Sequence, residues 1–230
     1  MKHLIVLLSL TTLFVSCGKV SSEDIEQDII KTNYSVVYDQ ETSQLEASGT
    51  FTIGGLNPTY VVLDGTSNLK VNNQSTSFDI NLLGQVSYLY KRSIPFNQNV
   101  NYQFKYTNRD GDEYVNSINL PSSVSFETPV SIETNQDLVV RWDVSQSSDS
   151  ATSMSLYIDH ENGSLFYSLD ESLSNGELEV KSQDLMLYIG QTISIRICRT
   201  KSTSQIQHPG EGGSIKSKFC TAKKNVVIQD

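Results

Sequence analysis

The chain has 230 residues and carries 17 basic against 26 acidic side chains, a formal charge of −9. That balance argues against nucleic acid as a partner, because phosphate binding needs clustered Lys and Arg. Hydrophobic residues at 37% with charged residues at 19% exclude a generally disordered chain, and a single apolar run excludes a protein that crosses a membrane many times.

That run stands at the start. Met1-Lys2-His3 is a short basic segment, followed by apolar residues from Leu4 to Val15. About twelve residues at roughly 1.5 Å each fall short of a hydrocarbon core of about 30 Å, so the run reads as a secretory signal. It ends in Leu13-Phe14-Val15-Ser16-Cys17, with a small residue directly before a cysteine. The junction resembles the lipobox of bacterial lipoproteins. The resemblance implies that residues 1–16 are removed and that Cys17 becomes the lipidated, palmitate-bearing N-terminus, with two or three acyl chains. One chain holds a membrane marginally, whereas two or more hold it durably. Gly18 rather than Asp follows the cysteine, which by the same resemblance favours the outer membrane of the cell envelope.

The chain has three cysteines, Cys17, Cys198 and Cys220. Lipidation of Cys17 removes the odd one and leaves a pair in an oxidising compartment, where disulfides persist. Residues 17–32 are polar and acidic. They read as a tether that holds the folded part off the membrane or, alternatively, as a short helix capped by Ser21 or Ser22.

From residue 33 the pattern has period two. Tyr34, Val36 and Tyr38 alternate with polar neighbours; Leu45 to Ile53, Tyr60 to Leu63, and Leu69 with Val71 follow. Phe78, Ile80 and Leu82 form the next strand, then Val86 to Tyr90, Val100 to Tyr106, and Tyr114 to Leu120. About eight strands are predicted over 33–121, with turn signals at Asp64-Gly65, Asn72-Asn73 and Asn108-Arg109-Asp110-Gly111. Short alternating strands bury one face only against another sheet, so an all-β sandwich is expected.

Pro121 and Pro129 bracket an extended stretch, and residues 122–129 are expected to be a linker between two tandem sandwich domains. The second block, 130–230, continues with Leu138 to Trp142, Met154 to Ile158, Leu165 to Leu169, and Leu178 with Val180. Ile193 to Ile197, Ile215 to Cys220 and Val226 to Ile228 complete it. Asp137-Leu138-Val139-Val140-Arg141-Trp142-Asp143 resembles the second strand of a fibronectin type III domain, with its inward tryptophan. Ile193 to Cys198 resembles the penultimate strand of that family, and the first block is similar to immunoglobulin-like sandwiches in general. The resemblance implies architecture, since such folds host many tasks.

Catalytic patterns are sparse. His160 and His208 fall in turns or loops, and no G-x-S-x-G elbow occurs. Ser67-Asn68-Leu69-Lys70 has the letters of S-x-x-K but enters a strand instead of a helix. Asp110-Gly111-Asp112-Glu113 offers oxygens for calcium, yet reads as a hairpin turn. Tyr88, Tyr90, Tyr102, Phe104 and Tyr106 suggest carbohydrate stacking by composition and core by strict alternation. No cofactor or metal is expected.

The segment between Cys198 and Cys220 is glycine-rich and locally basic through Arg199, Lys201, Lys216 and Lys218. A Cys198–Cys220 disulfide is predicted between its flanking strands. It would leave a presented binding loop in which Lys201, Gln205, His208, Gly210, Gly212 and Lys216 are the candidate contacts. The alternative is a flexible loop stapled only for stability. The expected function is a membrane-anchored, non-enzymatic lipoprotein that binds an envelope protein or glycan. A structural spacer without a ligand and an enzyme with an unseen site are the other readings.

Overall fold

A computed structural model describes residues 18–145, 153–161, 163–169 and 175–229. Cys17 and the expected signal lie outside the described residues. In chain order the strands of the first block are β1 (Lys19–Ser21), β2 (Lys31–Asp39), β3 (Gln44–Ile53), β4 (Thr59–Val62), β5 (Asn68–Val71), β6 (Gln74–Ser75), β7 (Ser77–Ile80), β8 (Val86–Ser93), β9 (Asn101–Thr107) and β10 (Glu113–Asn119). The second half has β11 (Val124–Glu127), β12 (Ser131–Glu133), β13 (Leu138–Val144), β14 (Ser153–His160), β15 (Gly163–Leu169) and β16 (Asn175–Val180). A short helix α1 (Ser182–Leu185) precedes β17 (Thr192–Thr203), β18 (Gly213–Cys220) and β19 (Lys224–Gln229).

The fold is an all-β sandwich, and the expected alternation accounts for it. In β2 the side chains of Thr32, Tyr34, Val36 and Tyr38 point inward and are buried; in β13 Leu138, Val140, Trp142 and Val144 do the same. Such apolar side chains contribute roughly 1.5–3 kcal/mol each when fully buried. The main sheet runs β1-β4-β3-β2-β18-β17-β14-β15, with the β7–β8 hairpin joined to β3 and the β12–β19 pair joined to β17. A four-stranded sheet, β10-β9-β5-β6, covers its first half, where Phe104 meets Tyr34 at 4.9 Å and Tyr106 meets Phe51 at 4.6 Å between ring centroids. The three-stranded sheet β11-β13-β16 supplies the remaining layer, its buried face of Phe126, Trp142 and Val180 joining the common apolar core.

Three boundaries differ from expectation. The stretch expected to be a tether is folded. β1 pairs in parallel with β4, and Ser22, Gln27 and Ile30 are buried, because Gln27 Nε2 donates to the Ser22 carbonyl at 2.8 Å and satisfies it away from water. The expected linker contains β11, which pairs with β13 from Val124↔Val144 to Glu127↔Arg141; its prolines flank the strand without interrupting its ladder. The two blocks are also joined across that boundary. β2 and β18 form a parallel ladder from Thr32↔Gly213 to Asp39↔Cys220. Both strands bury the same face, Ile215 beside Tyr34 and Phe219 beside Tyr38, with the last two rings stacked 6.0 Å apart. Pairing them makes one continuous inner surface out of two strand edges that would otherwise be open.

Candidate functional site

The stapled segment is an extension of one long hairpin. β17 uses Thr192–Ile195 to pair with β19, and Cys198–Thr203 to pair with β18. Between these stretches Ile197 N–H donates to Thr221 Oγ1 at 3.1 Å and Thr221 N–H returns to the Ile197 carbonyl at 3.0 Å, so the chain changes partner without losing backbone bonds. Cys198 and Cys220 stand directly opposite each other where the two arms leave for the first block, and they are joined by a disulfide with Cα atoms 4.2 Å apart.

Beyond that staple the arms bring the candidate residues to two different faces. Arg199 points inward and is buried, donating from Nη1 to the Ser122 carbonyl at 2.9 Å and to Ser122 Oγ. Lys218, by contrast, sits on the outer face with its ammonium 5.0 Å from the Tyr157 ring centroid, and Lys216 is exposed. Lys201 is half-buried and Gln205 is exposed. The basic residues therefore do not gather into one patch, because neighbouring strand positions face opposite ways.

The tip, expected to be presented to a ligand, is docked on the first block. Gln207 N–H donates to Asn116 Oδ1 at 2.7 Å, Asn116 Nδ2 donates to the Gln207 carbonyl at 2.8 Å, and Val115 N–H donates to Gln207 Oε1 at 3.0 Å. His208 Nδ1 accepts from Gly212 N–H at 3.0 Å, and the Gly212 carbonyl accepts from Thr32 N–H at 3.1 Å. Gly210 and Gly213 lie directly on backbone. A Cβ on Gly210 would stand 1.7 Å from the Asp28 carbonyl oxygen, and one on Gly213 1.7 Å from that of Thr32. The glycines thus serve close approach rather than looseness.

Other sequence candidates are accounted for locally. Asn108 Oδ1 accepts from the backbone N–H groups of Asp110 and Asp112, building the β9–β10 turn. Ser67 is buried ahead of β5, and Lys70 lies within that strand. Tyr88, Tyr102, Phe104 and Tyr106 are core, and Tyr90 is half-buried. Burial pushes the phenols of Tyr88, Tyr102 and Tyr106 up from their ordinary value, so they remain neutral. Among the described residues no group of three or more His, Cys, Asp or Glu side chains comes together to hold a metal.

Two surface features were not anticipated. On the outer face of β14, β15, β17 and β18, Tyr157 lies between the Arg196 guanidinium at 5.7 Å and Lys218, with Phe166 edge-on at 5.4 Å. Arg196 approaches Asp39 at 3.8 Å and Asp159 at 4.0 Å, so its charge is balanced, while Phe166 remains 60% exposed on the strand that ends the sheet.

The second feature is the β7–β8 hairpin. Its turn is closed by Asn81, whose Oδ1 accepts from Leu83 and Gln85 N–H at 3.0 Å each and whose Nδ2 donates to Gln85 Oε1 at 2.6 Å. Leu82 is fully exposed, Leu83 is 73% exposed, and Phe78 and Ile80 are also exposed. The strand expected to be core from Phe78, Ile80 and Leu82 thus shows its apolar side chains to solvent. Among the described residues β7 pairs with β8 alone, and all four of its residues are exposed. Adjacent leucines at 82 and 83 were the available signal, since a period-two strand cannot turn both toward one core.

Compared with known protein families and with curated protein sequences, the chain matches none.

Proposed function

We propose that the chain is a cell-envelope lipoprotein, acylated at Cys17, whose folded part is a non-enzymatic binding module. The observation that carries this reading is the Cys198–Cys220 disulfide. Such a bond is at home in an exported, oxidising compartment, and it leaves Cys17 as the cysteine available for another chemistry at the end of a secretory-type signal. The anchor and the disulfide then describe one itinerary.

The partner is a protein of the envelope, taken on the outer face around Phe166 and Tyr157. An exposed aromatic beside an ion-paired arginine is the composition that protein contacts favour, and among the described residues β15 is the last strand of the main sheet, a position that suits backbone pairing. Intact-mass analysis of protein extracted from membranes tests the anchor: two or three acyl chains on Cys17 are expected. Cys17→Ala should move the protein out of the detergent phase. A wild-type mass without acyl chains rejects the reading.

A further inference from the structure

The folded body leaves no length for a tether after Cys17. The Gly18 carbonyl accepts from Tyr60 N–H at 3.0 Å, and Lys19 is already in register with Tyr60. One residue spans at most about 3.6 Å, so whatever holds Cys17 also holds the adjoining end of the main sheet. Two exposed apolar loops project toward that end. β3 runs to Ile53, which pairs with Thr59 next to the β1 entry, and the loop between them carries a fully exposed Leu56. β8 is antiparallel to β3, with Tyr88 opposite Gly49, so the turn before it extends Leu82 and Leu83 in the direction in which β3 ends.

From this geometry we infer that Leu56, Leu82 and Leu83 insert into the interfacial region of the same bilayer that holds the acylated Cys17, seating the protein directly on the membrane. The inference rests on acylation at Cys17. Charge fits the assignment. The loops Gly54-Gly55-Leu56-Asn57-Pro58 and Asn81-Leu82-Leu83-Gly84-Gln85 carry no ionised side chain on a chain of −9, and the first charged residue after the anchor is the exposed Lys19. Anionic headgroups repel acids and tolerate neutral or basic contacts. The turn is also preformed: the Leu83 and Gln85 N–H groups are held by Asn81 Oδ1 and the Gly84 N–H by the Asn81 carbonyl, so these donors are already satisfied when the leucines enter the interface. An apolar hairpin tip and an acyl group then share one surface, and each makes the other's binding intramolecular.

The test uses the mature acylated protein, beginning at Cys17, in phosphatidylethanolamine–phosphatidylglycerol vesicles. The chain has one tryptophan, Trp142, which is buried and away from the hairpin, so the emission added by Leu83→Trp is read as the difference from wild-type protein. Its emission should lie to the blue of a water-exposed indole and be quenched by lipids brominated near the top of the acyl chain. Leu187→Trp, at an exposed position just after α1 in the other half, should emit as in water and escape quenching. Water-like, unquenched emission from Leu83→Trp in protein of acylated mass overturns the docking while leaving the anchor intact. Blue-shifted but unquenched emission that rises with protein density means hairpins meeting a second copy, and overturns it as well. A mass without acyl chains takes down the anchor reading, and the docking with it.

Discussion

The β17–β18 and β7–β8 hairpins invert each other's sequence character. The first ends in polar, glycine-rich residues and is fastened to the body of the protein; the second ends in leucines that stand exposed. Polarity of a tip therefore says little about whether it is available. The first hairpin spends its polar groups on Asn116, Val115 and Thr32, which a loop free in water would offer to solvent. The second spends its polar groups on its own turn and leaves the apolar ones outward.

Removing mass or bonds from the docked hairpin should be costly, and doing so from the free one should not. Phe219→Ala empties a buried site between Tyr38 and Phe96 and should lower stability by about 4 kcal/mol, measured by urea unfolding. A loss below about 1 kcal/mol would show that the β2–β18 junction is not a true part of the core. Replacing both Cys198 and Cys220 by Ala opens a link between residues 22 apart in sequence and should lower stability by about 3 kcal/mol. Wild-type protein under reductant should fall to the same midpoint as that variant. Asn116→Ala removes both bonds to the Gln207 backbone and should cost about 2 kcal/mol. Hydrogen exchange around 205–212 should rise in this variant; unchanged protection there would mean the tip is held by other contacts. Exchanging Leu82 and Leu83 for Ser should change stability by no more than about 0.5 kcal/mol, because neither is buried in the fold. A loss as large as that of Asn116→Ala would mean the leucines already have a partner within the protein.

Much of the architecture was legible in the order of residues. The period-two segments from Tyr34 to Leu120 and from Leu138 to Ile228 correspond to strands, and the alternation names their buried faces correctly in β2, β3, β9, β13 and β17. The short strands β1, β6, β11 and β12 were not legible. β1, β6 and β12 have only two or three residues, too few positions for a period, and β11 lies in the proline-bracketed stretch that reads as linker; each forms against the edge of a neighbouring strand. The fate of the stapled segment was equally hidden. Its pinning depends on Asn116 and Asp28, each distant in sequence.

By itself the sequence determined local geometry and inward faces, since side-chain alternation is a property of the extended backbone. It also determined the Cys198–Cys220 register, because both cysteines lie in alternating strands joined by one loop. Only the tertiary structure decided which edges meet. The β2–β18 ladder merges two blocks that read as separate, the run after Gly18 is strand and packed turn instead of tether, and the Phe78–Leu83 apolar run stays outside the core. The physical reason is common to all three. An open strand edge is satisfied by any partner with a matching inner face, and which partner arrives depends on how every other strand has been placed.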